Sequence, residues 1–299
     1  MRSARAAHFL DQVDDLPSVP VVYQRVKALL DDSESPLDDI AREMAHDAAM
    51  TARLLRVANS AMYGVARKIA TPMQAIAIVG LAQIQHLVLA TTVTSAFAHI
   101  APPLMDMQRF WNASLYRAVA ARALAREARL GEWERLFTTG LLSDIGHLVL
   151  YMVAPLEAEE ALARATREAR SREETERELL GFDHADVSGA LAAKWMLPLS
   201  MEACLQFHMR PLGAHPYTED ACVVHTAARL ADTRTVNTMA GGNISAGIST
   251  NNWPVMPEVL DALALDATRL PDILERIDGE FNELATLLLD NAPLKRRLH

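Results

Sequence analysis

Thr139-Gly140-Leu141-Leu142-Ser143-Asp144-Ile145-Gly146-His147 sets a single carboxylate inside a Leu-rich run. The stretch reads as the middle of a helix from Trp133 to Val153. A carboxylate at such a place is expected to be buried and must then find a polar partner. The pattern around it is the same throughout the chain. Ala and Leu dominate, β-branched clusters are scarce, and apolar residues recur every three or four positions. This predicts an all-α fold.

Working outward from that run, the periodicity predicts helices from Met107 to Arg129 before it and from Glu157 to Glu168 after it. Farther upstream, helices are expected over Val21 to Leu30, Asp38 to His46, Ala48 to Asn59, and Thr71 to about Gly80. Leu81 to His99 is apolar almost all round, which suits the centre of a domain. Ser35 is expected to cap the second of these helices, with Pro36 as its first residue. Downstream, helices are expected over Asp183 to Trp195, Ser200 to His208 and Thr218 to Asp232. The charge-dense span Glu157 to Glu178 reads as a solvated helical hairpin laced by i,i+4 pairs such as Glu160 with Arg164. Thr233 to Pro257 turns to Gly, Ser, Thr, Asn and Pro, and reads as a long loop. A final amphipathic helix aligns Leu270, Ile273, Leu274, Ile277, Phe281, Leu284 and Leu288.

Composition limits the function. The chain has 299 residues, a net charge of −9 and two cysteines, Cys204 and Cys222. An acidic balance excludes a protein held to nucleic acid by phosphate contacts. Two cysteines cannot build a disulfide framework or a Cys-based zinc site, and they suit a reducing, cytoplasmic setting. Met1 to Leu10 lacks the apolar core of a signal peptide. The most apolar stretch, Ala75 to Ile100, carries Gln83, Gln85 and His86, so membrane insertion is not expected.

Several motifs resemble one family. Leu54-Leu55-Arg56-Val57-Ala58-Asn59-Ser60-Ala61-Met62-Tyr63-Gly64 is similar to the "LLRLANSAxYG" signature of the HDOD family. Leu16-Pro17-Ser18-Val19-Pro20 resembles its "LPxLP" segment, and Gln74-Ala75-Ile76 leading to Val79-Gly80 its "QAIxxLG" segment. Glu178 to Val187, with Gly181, Asp183 and His184, resembles its "ExxxxGxDHAEVG" stretch. The Gly140–Gly146 run is similar to the Gly-Leu-Leu-His-Asp-Ile-Gly motif of the wider HD hydrolases, with Ser143 where the His would stand. The resemblance implies an N-terminal helical bundle (16–103) packed on a degenerate HD-like bundle (104–232). An arm (1–15) would precede this module, and a loop with a helical extension (233–299) would follow it.

The resemblance also implies a lost metal site. An HD hydrolase converges imidazoles and carboxylates on metal ions that activate water. The corresponding positions here hold Ala113, Ser143, Asp144 and Ala228, so only Asp144 keeps a ligand group. Asp232 lies one turn beyond Ala228 and would point from another level of the helix. His147, at i+3 from Asp144, adds too little for a catalytic centre. No metal, no cofactor and no catalytic residue is therefore expected.

What remains is a candidate vestigial pocket of Asp144, His184, His208 and Ser143. Asp183 is a candidate cap for the helix that begins with His184. His208 resembles the family's "HHxP" turn with Met209 in place of one His, or simply ends a helix. His215 and His225 stand at no metal spacing. Asn59, Ser60, Tyr63 and Gly64 read as a structural signature, with Asn59 satisfying backbone groups between two helices. Arg117, Arg122 and Arg126 form either an anion site or a solvated helix face. The resemblance implies a non-catalytic bacterial signalling module acting as a protein-interaction adaptor. Its partners would be signalling proteins of the diguanylate cyclase/phosphodiesterase, kinase or response-regulator type, and it could pair as a homodimer. The alternative is a sensor that binds a nucleotide or cyclic dinucleotide in the vestigial pocket.

Overall fold

The computed structural model describes residues 2–12, 21–32, 34–60, 63–65, 67–97, 105–239 and 254–288. Among them the structure is all-α, as the periodicity predicts, and contains no strand. The helices are α1 (Arg2–Asp11), α2 (Val21–Asp31), α3 (Leu37–Ala45), α4 (Ala48–Ala58), α5 (Pro72–Val79), α6 (Leu81–Phe97), α7 (Met107–Glu127), α8 (Trp133–Leu142), α9 (Ile145–Val153), α10 (Pro155–Glu168), α11 (Arg172–Leu180), α12 (His184–Lys194), α13 (Leu199–Phe207), α14 (Thr218–Met239), α15 (Pro257–Ala262) and α16 (Leu270–Leu288). They divide into two compact units. The larger comprises Met1–Leu16 with Ala101–Ile277, the smaller Pro17–Ile100 with Asp278–His299.

In the smaller unit, α2 to α6 enclose a core that includes Val26, Ile40, Met44, Leu54, Ile76, Ile84 and Val88. Asp47 caps α4 by accepting from the Met50 N–H at 2.9 Å. Thr71 caps α5, whose first residue is Pro72. Ser35 does not cap α3. Its hydroxyl donates to Asp32 Oδ2, and the extended Pro36 holds the cap position instead. Thr91 and Thr92 of α6 are buried and Thr94 half-buried at little cost, because each donates a hydroxyl to the carbonyl four residues earlier.

Asn59 ends α4 and ties the following segment to it. Its Nδ2 donates to the carbonyls of Leu55 (2.7 Å) and Ile69 (2.8 Å), and its Oδ1 accepts from the Ile69 N–H at 2.7 Å. One side-chain amide thus mimics a backbone pairing across ten residues. Ser60 turns its hydroxyl to the Val57 carbonyl, and Gly64 takes a left-handed φ of +57°.

In the larger unit, α7 is buried almost all round and packs on α8 and α14. Close approach to α8 depends on Gly140, where an added Cβ would lie 2.7 Å from the Arg117 carbonyl oxygen. α12 is equally enclosed, between α13, α9 and α1. Residues 1–15, expected as an arm, contain α1, which buries Ala6 and Leu10 and sets Phe9 5.2 Å from Phe182. The predicted loop from Thr233 begins too early, since α14 continues to Met239. The glycine-rich stretch 241–242 and Trp253 lie outside the described residues, as do Leu16 to Pro20. Trp133–Val153 is the one described stretch long and apolar enough to cross a membrane, and 83% of its apolar window is buried inside the protein.

Asn59→Ala should lower stability by about 1–3 kcal/mol, because it strands the Ile69 N–H and two carbonyls. Denaturant unfolding followed by circular dichroism checks this.

Candidate functional site

The helix predicted from Trp133 to Val153 is broken. α8 stops at Leu142 and α9 starts at Ile145, with Asp144 at φ −101°, ψ 7°. The cause is a side chain from another helix. Ser188 of α12 donates to the Ser143 carbonyl (3.1 Å) and accepts from the Gly146 N–H (2.9 Å). It thereby takes two groups that an unbroken helix would pair within itself. Ser143 turns its own hydroxyl to the Gly140 carbonyl at 2.8 Å. α9 lies so close to α12 that a Cβ at position 146 would fall 1.9 Å from the His184 carbonyl oxygen.

The break frees Asp144 to face sideways. Arg117, from α7, donates from Nη1 to Asp144 Oδ2 at 3.0 Å and from Nη2 to Asp232 Oδ1 at 3.1 Å. The other oxygen of Asp144 meets His147 Nδ1 at 2.5 Å. Behind His147 stands Glu176 of α11, only 1% exposed. Its Oε1 bonds His147 Nε2 at 2.9 Å, and its Oε2 bonds His184 Nδ1 at 2.8 Å and accepts from the His184 N–H at 3.0 Å. The two rings stack with centroids 3.7 Å apart, and His184 Nε2 lies 4.0 Å from Asp144 Oδ1.

His184 is placed as the first residue of α12. Asp183 caps that helix in a reciprocal box with Asp186. Arg177 donates to Asp183 and Arg210 to Asp186, both at 2.6 Å. The carboxylates at this helix start are therefore neutralised from two sides.

The ionisation pattern follows from this packing. Burial pushes Asp144 upward, but Arg117, His147 and His184 outweigh it and hold the carboxyl well below the usual range. Glu176 is likewise pushed up by burial and held well below that range by His147 and His184. Burial lowers His184, yet Glu176, Asp144 and Asp183 raise it to about 9. His208 lacks such partners, so burial and then the charge of His184 push it down to about 3. Its Nδ1 donates to the Leu205 carbonyl at 2.8 Å, leaving Nε2 as the lone-pair nitrogen of a neutral ring.

A cavity of about 330 Å³ opens here, lined by Arg117, Asp144, His147, His184, His208, Ala228 and Asp232, with Arg172 and Arg229 also on its wall. Asp144, His184 and His208 are thus brought together, whereas Ser143 is buried away from the cavity. Arg117 reaches it with its guanidinium already engaged. Arg122 and Arg126 do not line it: Arg122 is enclosed rather than solvated, whereas Arg126 is exposed on its helix face. Arg122 is fully buried 3.6 Å from Glu134, and Arg126 stacks over Trp133. Asn59, Ser60, Tyr63 and Gly64 belong to the smaller unit.

Asp232 is the residue that sequence reading placed wrongly. One turn beyond Ala228 on α14, it shares that residue's face and meets Arg117. Glu176 was hidden in a charge-dense segment that reads as solvated, and only packing shows that Thr175 and Glu176 are enclosed.

A metal centre of the HD type does not fit these residues. Asp144, His147 and His184 do bring one ligand atom each within 4.8 Å of the others. However, Asp144 is held between a guanidinium and an imidazole, both nitrogens of His147 face carboxylates, and Ala113 and Ala228 supply no donor. No metal-dependent step follows from this arrangement.

Two outcomes are expected. Gly146→Ala should destabilise the fold by about 3 kcal/mol or more, since neither α9 nor the His184 carbonyl can yield 1 Å freely; thermal unfolding measures it. Stability should also fall as pH rises from about 6.5 to 9. The folded value of His184 lies above its unfolded value near 6.5, so its contribution is complete below 6.5 and lost as pH passes 9. The span corresponds to about 3 kcal/mol. Unfolding midpoints measured across this range should drop for the wild type and stay flatter for His184→Gln.

Comparison with known proteins agrees with the fold and the motifs. The sequence matches the HDOD domain family over residues 16–211. A Geobacter sulfurreducens HDOD domain protein of unknown function has a similar crystal structure, with a TM-score of 0.75, 22% identity and coverage of 96% of this chain and 98% of that one. A Shewanella amazonensis SB2B protein, provisionally named a phosphohydrolase, gives a TM-score of 0.74, 25% identity and coverage of 94% and 97%. An uncharacterized protein of Treponema pallidum (strain Nichols) is 25% identical over 210 residues, 68% of this chain, which spans only 39% of that relative's length. With its signature motifs in order and the family match over most of its length, the chain belongs to the HDOD domain family.

Proposed function

We propose that this HDOD protein is a non-catalytic signal-transduction module that acts by binding other signalling proteins. The observation that carries the reading is the Arg117 guanidinium bridging Asp144 and Asp232. A guanidinium has no open coordination position and cannot lower the pKa of a bound water as a divalent cation does. The other groups that could activate water are committed as well. His184 holds its proton against Glu176, and His147 is clasped between two carboxylates. His208 alone keeps a free ring nitrogen at the cavity, and with burial holding it at about 3 it is a weak base for drawing a proton from water.

A binding role needs surface. Met196 and Leu199, at the turn from α12 to α13, are 73% and 69% exposed, which supports a protein contact there. Expected partners are signalling proteins of the cyclase/phosphodiesterase, kinase or response-regulator type. A second reading, a nucleotide sensor, is supported by the cavity itself. Its volume of about 330 Å³ suits a mononucleotide better than a cyclic dinucleotide, and Arg172 and Arg229 offer charge.

Purified protein with Mg²⁺ or Mn²⁺ should leave cyclic dinucleotides and bis(4-nitrophenyl) phosphate unhydrolysed. Turnover that disappears in Asp144→Ala would overturn the non-catalytic reading. Captured signalling partners should be lost with Met196→Asp/Leu199→Asp, and calorimetric heat with a mononucleotide would favour the sensor instead.

A further inference from the structure

The Asp144 cluster has the anatomy of a metal centre with a side chain in the place of the ion. In metal sites a histidine is aimed by a carboxylate bonded to its second ring nitrogen. Glu176 does this twice. It holds His147 through Nε2 and His184 through Nδ1, at 2.9 and 2.8 Å. The nitrogens left over, His147 Nδ1 and His184 Nε2, both face Asp144 Oδ1, at 2.5 and 4.0 Å. Asp232 approaches the cluster from α14. What these groups surround on the Asp144 and Asp232 side is Arg117, whose side chain is only 9% exposed and bonds both carboxylates.

We propose that Arg117 is a built-in cation that keeps a divalent metal out of a latent Asp144–His147–His184–Asp232 centre, and that removing its guanidinium turns the cavity into a metal site. The proposal rests on the reading that the native site has no catalytic metal. The physical grounds are charge and permanence. Two carboxylates converging in a partly buried place require a cation. A tethered guanidinium supplies it with no dissociation constant, does not lose its proton in a protein, and presents its fork to both acids. A metal could enter only by displacing it, and the covalent tether returns it at once. Without Arg117, Asp144 and His147 at the start of α9 and His184 of α12 keep their ligand atoms within 4.8 Å of one another, and Asp232 of α14 faces them across the space the guanidinium held, a donor set suited to Zn²⁺ or Co²⁺.

The test compares the wild type with Arg117→Ala, Arg117→Gln and Arg117→Lys, each titrated with Co²⁺. The Ala and Gln variants should bind one Co²⁺ per chain at least ~100-fold more tightly than the wild type, with visible d–d absorption and a metal-dependent rise in Tm. The Lys variant, which keeps a cation, should resemble the wild type. Adding His184→Ala to Arg117→Ala should abolish the absorption. The proposal is overturned if the wild type takes up Co²⁺ with the same affinity, or if neither the Ala nor the Gln variant binds it. A variant unfolded without metal is scored by its helical circular dichroism. Recovery on adding Co²⁺ supports the proposal, and no recovery counts against it. Phosphodiester turnover by the wild type, read on the same samples, would instead defeat the non-catalytic reading, so the two failures are separable.

Discussion

A guanidinium enclosed with carboxylates from two other elements holds those elements in place, because each charge is costly to bury without the others. Arg117 stands in that position. It links the middle of α7 to the joint between α8 and α9 and to the far part of α14, and through Asp144 it reaches the two histidines and Glu176 on α11. Five helices of the larger unit therefore share one ionic network. Removing any one member leaves a buried charge with too few partners.

The network requires a backbone arranged to admit it. Asp144 can face Arg117 only because the helix around it is interrupted, and the interruption is held by Ser188 bonding the backbone on both sides of the break. Ser188 can reach those groups because Gly146 lets α9 pack on α12 at a distance no side chain would tolerate, while Gly140 does the same for α8 on α7. Small residues thus set the spacing, the spacing sets the break, and the break sets the direction of the carboxylate.

Most of the helical architecture was legible along the chain, since a 3.6-residue period needs only local information. The cap at Asp183 and the bridging amide of Asn59 were readable for the same reason: their partners lie within a few residues or one short loop. The readings that failed depended on distant partners. The Trp133–Val153 helix broke on a serine 42 residues beyond Gly146, and Glu176 left an apparently solvated segment to hold two histidines; Ser35 is the local exception, its hydroxyl turned back to Asp32 while Pro36 holds the cap position. Asp232 was misplaced by attending to the turn it occupied rather than the face it shared with Ala228.

By itself, the sequence determined that this protein is all-helical and carries the HDOD signature motifs, and its resemblance to the HD hydrolases implies Ala113, Ser143 and Ala228 where those enzymes would have ligands. These are matters of residue identity and local period. Only the tertiary structure decided what Asp144 does in the absence of those ligands. Arg117, Glu176 and Asp232 lie 27, 32 and 88 residues from it, and no spacing rule connects them. Their meeting is imposed by helix packing, which encloses Arg117 and Glu176 and brings Asp144 and Asp232 onto one guanidinium.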